Sequence, residues 1–187
     1  MTAPSPAAIE AFAATAAVAF AVKLMDDGLD RERDAAAGFP NWAASLGRGA
    51  PAYALLALAV ACALSPARAV PLFLAAYAVG MGRGIERQPS GLPGWLEALV
   101  ALAISAALFG PLRAAAAAAA ILAVQWTDGL LDWRADAGYR PAPLPVAPLA
   151  ALALAGWAAA FALDPLQAGA VAVCGLGIAW ATRHGTA

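Results

Sequence analysis

Long apolar runs recur along this chain and leave few residues for other structure. They lie at about 6–25, 50–65, 69–82, 95–110, 112–127, 144–163 and 166–182. Hydrophobic residues make up 63% of the 187 residues and charged residues only 12%, whereas a soluble domain is about half apolar and about a quarter charged. The sequence therefore predicts an all-α fold, a polytopic transmembrane helical bundle of about seven spans forming one domain over residues 1–187. The second and third runs are shorter than the roughly 20 residues that a straight span needs.

Proline and glycine mark where these runs should begin and end. Pro51, Pro71, Pro111 and Pro165 stand near the starts of four runs, where a missing backbone N–H does no harm to a helix. Glycines between 80 and 94 mark a break after the third run. The alanine run 114–120 either lets neighbouring helices approach closely or reflects an alanine-rich composition. Glu97 and Gln125, polar residues at or within apolar runs, should face protein or water rather than lipid.

Basic residues provide a test of topology that is independent of hydropathy. With seven spans, nine of the 11 Lys and Arg residues fall on one side of the membrane. They are Lys23, Arg31, Arg33, Arg48, Arg83, Arg87, Arg134, Arg140 and Arg183. Cytoplasmic loops carry such an excess, so this side is expected to be cytoplasmic and the N-terminus outside. An integral protein of the cell inner membrane is the expected localisation.

Composition also excludes several classes of site. The first 20 residues contain Glu10 but no Lys or Arg, so they are interpreted as the first span and not as a cleavable signal peptide. One histidine and two widely separated cysteines do not suffice for a usual structural zinc site. The sequence contains no basic stripe with aromatic residues that would indicate nucleic-acid binding.

Two short stretches hold most of the acidic residues. The first contains Asp27, Asp30 and Asp34 and the second contains Asp128, Asp132 and Asp136; we call them the first and second aspartate motifs. If each stretch is helical, the offsets of 3 and 7 place the first set within roughly a sixth of the circumference, and the second set forms a similar stripe. Such carboxylate columns repel one another, so we expect a cation between them. Oxygen ligands without His or Cys favour a hard ion, Mg²⁺ first.

The two motifs also occupy equivalent positions in the predicted order of spans. Each stands at the end of a predicted span, the first span and the fifth, so both are expected on the cytoplasmic side, and apolar hairpins follow both. This pattern indicates a weak internal repeat of residues 6–110 and 111–187, and binding sites often lie between such repeats.

In their spacing, Asp27-x-x-Asp30-x-x-x-Asp34 and Asp128-x-x-x-Asp132-x-x-x-Asp136 resemble the two aspartate-rich motifs of UbiA-type intramembrane prenyltransferases. The separation of four spans is similar as well. The resemblance implies a UbiA-like fold with the first and last helices missing. Asp26 stands where the family usually has asparagine, and the family's aromatic and Lys-Arg loop signature is absent.

The resemblance implies a function, a cofactor and site residues. Mg²⁺ held by the two motifs would bind a prenyl diphosphate, and the prenyl group would pass to a lipophilic or aromatic acceptor within the membrane. Diphosphate-binding residues would be Arg83, Arg87, Arg31 and Arg134. For Arg31 and Arg134, balancing the aspartates and anchoring a helix end at anionic lipid is an equal alternative. No residue is assigned as a catalytic base.

A second class of function stays open at this point. The carboxylates could bind divalent cations alone, in a non-catalytic or transport-type integral membrane protein. With helices missing from the family's pattern, association into a homo-oligomer is a further expectation. An enzyme should bind Mg²⁺ and prenyl diphosphate cooperatively, whereas a cation transporter should not.

Overall fold

A computed structural model describes residues 5–80, 87–136 and 145–184, without the side chains of 132–136, 183 and 184. The helices in these ranges are α1 (Pro6–Leu29), α2 (Arg31–Ala37), α3 (Trp42–Leu46), α4 (Ala50–Leu64), α5 (Pro66–Gly80), α6 (Gly94–Phe109), α7 (Pro111–Asp136), α8 (Val146–Leu163) and α9 (Pro165–His184). A 3₁₀ turn, Gly47–Gly49, joins α3 to α4. No strand occurs in the described ranges, and the only β-bridge there pairs Arg87 with Pro93.

Five helical segments are long and apolar enough to cross a membrane: Pro6–Leu29, Trp42–Leu64, Pro111–Leu131, Val146–Leu163 and Pro165–Thr182. Two shorter apolar helices, Pro66–Gly80 and Gly94–Phe109, occupy the third and fourth predicted runs. The all-helical prediction is confirmed for the described residues, as is the presence of helices long and apolar enough to span a membrane. Seven crossings remain a prediction, because α5 and α6 fall short of the usual span length.

The distribution of side-chain size supports a lipid environment. Buried positions are mostly alanine, including Ala14, Ala61 and Ala117. Large apolar side chains lie outside, and Leu108 and Leu154 are 67% and 72% exposed. Small residues let helices approach closely where lipid removes the hydrophobic drive for association. In this bundle the large apolar side chains are therefore placed to face lipid.

The proline boundaries are confirmed at Pro51, Pro111 and Pro165, each of which stands in the first turn of its helix. The expectation for Pro71 was wrong. Helix α5 begins at Pro66, and Pro71 is buried inside it. An internal proline removes one helical hydrogen bond, and the surrounding packing evidently tolerates this loss.

Helix α7 runs through the centre of the bundle. Ala117 and Ala120, from the alanine run, join the same buried cluster as Val18 of α1 and Leu72 of α5. Helix α7 packs against α5, α6, α8 and α9, and α9 also packs against α1. Helices α5 and α9 therefore connect α1 and α7, the two helices whose ends carry the aspartate motifs.

An ion pair joins two helix turns at one end of the bundle. The Arg68 guanidinium at the start of α5 donates to Asp164 Oδ2 at 3.0 Å, between α8 and α9. The other oxygen, Oδ1, accepts from the Gln167 backbone N–H at 2.9 Å and so caps α9. Asp164 thus serves both the start of α9 and the contact between the α4–α5 and α8–α9 turns.

We expect Asp164→Ala to lower the free energy of unfolding by about 1 to 2 kcal/mol, because it removes a helix cap worth about 1 kcal/mol and a partly exposed ion pair worth up to about 1 kcal/mol. Asp164→Asn keeps a capping oxygen and loses only the charge, so it should cost about half as much. Thermal unfolding of the purified proteins in detergent measures both. Equal losses for the two variants would contradict the capping role.

Candidate functional site

The first aspartate motif spans a corner between helices and does not lie on one helix. Helix α1 ends at Leu29, Asp30 stands at the break with φ −92° and ψ 5°, and α2 begins at Arg31. Gly38, with φ 72°, then ends α2 and turns the chain toward α3. The column expected for one continuous helix is therefore interrupted at Asp30, between α1 and α2.

Asp27 is almost fully buried, with 2% exposure, and both of its oxygens have donors. Oδ1 lies 2.7 Å from Lys23 Nζ, one helical turn earlier. Oδ2 accepts the Trp42 backbone N–H at 2.7 Å. The Trp42 ring also contacts Phe20, with ring centroids 6.1 Å apart. Asp27 therefore ties the end of α1 to the first turn of α3.

Asn41 completes this corner and was missed by the sequence analysis. Its Nδ2 donates to Asp34 Oδ2 at 2.8 Å and to the Asp27 backbone carbonyl at 2.7 Å. Its Oδ1 accepts the Ala44 backbone N–H at 2.7 Å and caps α3. An asparagine directly before an apolar helical stretch is an N-cap signal. That signal could have located the cap, though not the contacts with Asp27 and Asp34.

Asp30 and Arg31 lie at the outer side of the corner. Asp30 forms an ion pair with Arg33 across three residues, with side-chain exposures of 30% and 51%. Arg31 is exposed. Every carboxylate of the first motif is thus engaged by a protein group, through Lys23 and Trp42 at Asp27, Arg33 at Asp30 and Asn41 at Asp34.

The second motif begins on α7, whose backbone is helical to Asp136. Asp128 is exposed. The side chains of Asp132, Arg134 and Asp136 lie outside the described residues. Asp128 borders a small cleft between α7, α8 and α9, which is open to the surface and mostly apolar. Its walls include Leu131, Leu176 and Trp157, whose indole N–H donates to Thr127 Oγ1 at 3.0 Å.

Asp27 and Asp128 lie at the same end of the bundle. Asp27 contacts Trp42 at the start of the Trp42–Leu64 segment, whose other end adjoins the Arg68 ion pair. Helix α8 runs antiparallel to α7, with Gly156 beside Ala123 and Leu149 beside Gly129. Asp128 is therefore remote from Asp164, at the end of α8. The Arg68–Asp164 pair marks one end of the bundle and the two motifs mark the other.

A polar cluster between α5 and α6 lies at the motif end too. Tyr77 and Ser90 both donate hydrogen bonds to the Glu97 carboxylate. The expectation that Glu97 faces protein or water is confirmed. Arg87 is exposed beside this cluster, in the bridge to Pro93, and Arg83 lies outside the described residues.

Among the side chains that are described, no group of three or more His, Cys, Asp or Glu residues is arranged to hold a metal ion. The first motif as it stands does not fit Mg²⁺ at Asp27, since donors already occupy both oxygens. The Asp128 carboxylate has the oxygen ligands that Mg²⁺ prefers. The side chains of Asp132 and Asp136, the other two aspartates of the second motif, lie outside the described residues. A comparison with protein-family models, curated proteins and solved structures found no match to this chain.

Proposed function

We propose that this protein transfers a prenyl group from a prenyl diphosphate to a lipophilic or aromatic acceptor within the membrane, in a Mg²⁺-dependent reaction, as a short member of the UbiA type. The observation that carries the proposal is the placement of Asp27 and Asp128 at one end of the bundle, with an apolar cleft leading away from Asp128. A prenyl diphosphate matches this arrangement of a charged end and an apolar cleft, because it has a charged head and an apolar tail.

The cleft suits the tail by its composition. The cleft is lined by the apolar side chains of Leu131, Leu176 and Trp157. It is also lined by Gly175, which has no side chain to narrow it. The Trp157 indole is fixed by its hydrogen bond to Thr127, so the aromatic wall holds its orientation without a ligand. A chain bound along these residues would place its polar head beside Asp128.

Binding the head requires positive charge as well. Mg²⁺, when bound, offsets the negative charge that develops on a leaving diphosphate. On the protein, Arg31 and Arg87 are exposed at the motif end and suit phosphate oxygens, since guanidinium groups bind them in a bidentate manner. By the excess of basic residues, this end is assigned to the cytoplasm, which places the N-terminus outside.

We expect Asp128→Asn to weaken Mg²⁺-dependent binding of radiolabelled farnesyl diphosphate by at least about tenfold, the scale at which even outer-shell partners of metal sites act. Glu10→Gln is the matched control, because Glu10 is an exposed carboxylate near the start of α1, at the other end of the bundle. Filter binding in detergent, with Mg²⁺ or with EDTA, measures both. Unchanged binding in Asp128→Asn would refute the site.

A second candidate is a non-catalytic or transport-type membrane protein that binds divalent cations, which would need only one of the two motifs to bind an ion. The carboxylates of Asp27 and Asp34 already serve as structural acceptors for Lys23, Trp42 and Asn41. The two candidates differ in one measurable respect. An enzyme should bind Mg²⁺ more tightly when farnesyl diphosphate is present and should release diphosphate on addition of an acceptor. Cation affinity that is independent of farnesyl diphosphate would favour the second candidate.

A further inference from the structure

Helix α6 is shorter than a membrane is thick. It begins at Gly94, after Pro93, and ends at Phe109, where Gly110 with φ 91° turns the chain toward α7. Its 16 residues extend about 24 Å, at about 1.5 Å per residue. The hydrocarbon core of a bilayer is about 30 Å thick. Helix α6 therefore falls short of a straight crossing by about 6 Å.

Packing nevertheless directs α6 through the depth of the bundle. Only Gly110 separates it from α7, and the two helices pack against each other. Its last turn therefore lies at the end of the bundle that the Arg68–Asp164 pair marks. Its first turn lies toward the motif end, where Glu97 is bonded to α5. The helix thus runs antiparallel to α7, whose 26 residues exceed the thickness of the hydrocarbon core.

The outer surface of α6 is apolar over most of this length. Large side chains from its first turn to its last are exposed, whereas Ala101 and Ser105 are buried against the bundle. The exposed side chains include Trp95, Leu99, Ile104 and Leu108. Because small residues face the other helices and large apolar residues face outward, this surface is placed to contact lipid.

The turn that precedes α6 is polar and well ordered. The Gln88 backbone N–H donates to the Leu92 carbonyl at 2.8 Å, and the Gly91 N–H donates to the Gln88 carbonyl at 2.8 Å. Ser90 Oγ accepts the Leu92 N–H at 3.1 Å and donates to the Glu97 carboxylate. These hydrogen bonds fix where the apolar helix stops and the polar turn begins.

Cations flank the apolar surface of α6 at both ends. Arg87 is exposed at the base of the turn, and Arg113 is exposed in the first turn of α7, just beyond the other end. A guanidinium group is costly within hydrocarbon and is attracted to anionic headgroups. Trp95, 51% exposed in the first turn of α6, is of the residue type that is enriched at the membrane interface. Both ends therefore match headgroups, although they are only about 24 Å apart.

We propose that the bilayer is locally thinned beside α6, so that phospholipid headgroups meet Arg87 and Trp95 at one end and Arg113 at the other. Thinning is one way in which a membrane accommodates a hydrophobic stretch that is too short. The thinned patch would also bring water to the Glu97 carboxylate, which spares that group from hydrocarbon. The inference concerns the contact of the protein with lipid and does not depend on prenyl transfer.

Fluorescence quenching by brominated phospholipids tests the depth of each end. The difference between the wild type and Trp95→Phe isolates Trp95. In the Trp95→Phe protein, Leu99→Trp and Leu108→Trp then sample a position nearer the middle and the other end, and both sites are exposed. We expect lipids brominated near the headgroup to quench the tryptophans at 95 and 108 more strongly than lipids brominated near the chain ends. The tryptophan at 99 is the control, for which the order should reverse.

Thiol labelling tests whether α6 crosses the membrane. In a protein with Cys62→Ala and Cys174→Ala, the added substitutions Pro89→Cys and Leu112→Cys place a thiol at an exposed position beyond each end of α6. We expect a membrane-impermeant maleimide to label one thiol in vesicles of one orientation and the other thiol in vesicles of the opposite orientation.

Two results would overturn the thinning proposal. One is an end tryptophan that lipids brominated near the chain ends quench at least as strongly as those brominated near the headgroup. The other is labelling of both thiols from the same side, or of only one thiol in either orientation. If the protein without native thiols does not fold, the quenching of the wild type and its tryptophan variants decides alone.

Discussion

Asn41→Ala is expected to lower the free energy of unfolding by about 3 kcal/mol. The substitution removes the cap of α3, worth about 1 kcal/mol, and the donor to Asp34, a nearly buried carboxylate with 9% exposure. Leaving such a carboxylate without its donor costs about 1 to 3 kcal/mol. The bond from Asn41 to the Asp27 carbonyl is lost as well. Chemical denaturation in mixed micelles measures the change.

Asn41→Ser is the matched control for this prediction. Serine retains a capping oxygen for the Ala44 backbone N–H but does not reach the carboxylate of Asp34. We therefore expect an intermediate loss, about 1 kcal/mol smaller than that of alanine. If both variants unfold like the wild type, the three hydrogen bonds of Asn41 do not stabilise the corner.

Gly156→Leu is expected to cost a similar amount, about 3 kcal/mol, by forcing α7 and α8 apart. A Cβ atom at Gly156 would lie 3.1 Å from Ala123 Cβ and 3.2 Å from Ala123 Cα. Backbone atoms cannot move aside as a flexible side chain can, and overpacking of this kind costs about 1 to 3 kcal/mol. Separation of the helices would also stretch the neighbouring bond from Trp157 to Thr127, which measures 3.0 Å.

The matched control is Gly177→Leu on α9, where an added Cβ meets nothing within 4 Å. Gly177 is exposed, so leucine there should be neutral or mildly stabilising, as leucine favours a helix more than glycine does. Thermal unfolding in detergent, followed by the intrinsic fluorescence of the six tryptophans, compares the two variants. A loss at Gly177 as large as that at Gly156 would show that the close contact of α7 and α8 is not the cause.

Much of the architecture was predictable from the apolar composition of the runs and from the positions of proline and glycine. Each of the seven apolar runs corresponds to a helix of the described chain, and prolines 111 and 165 open α7 and α9 as expected. Such agreement is expected for a membrane protein, since backbone groups in lipid must be satisfied within a helix. Helix lengths were less predictable. The residues of α3 extend the second run to a 23-residue segment, and Pro71 lies within α5.

The candidate site, too, could be predicted only in part from the sequence. Clustering of aspartates and their position after the first and fifth runs are visible in the sequence. The partners of those aspartates are not visible there. Asn41 is 14 residues from Asp27, and no periodic pattern connects an asparagine before one helix to a carboxylate at the end of another.

The sequence by itself determined that this chain forms apolar helices and that its acidic residues collect after two of them, because hydropathy and helix-breaking residues act locally. Only the tertiary structure decided that Asp27 and Asp34 are satisfied by Lys23, Trp42 and Asn41, whereas a common side for Asp27 and Asp128 was already expected from the number of spans between them. The physical reason is that burial and hydrogen bonding of a carboxylate depend on which distant segments pack beside it. That packing follows from the turn at Gly38 and from the close contact of small residues between helices.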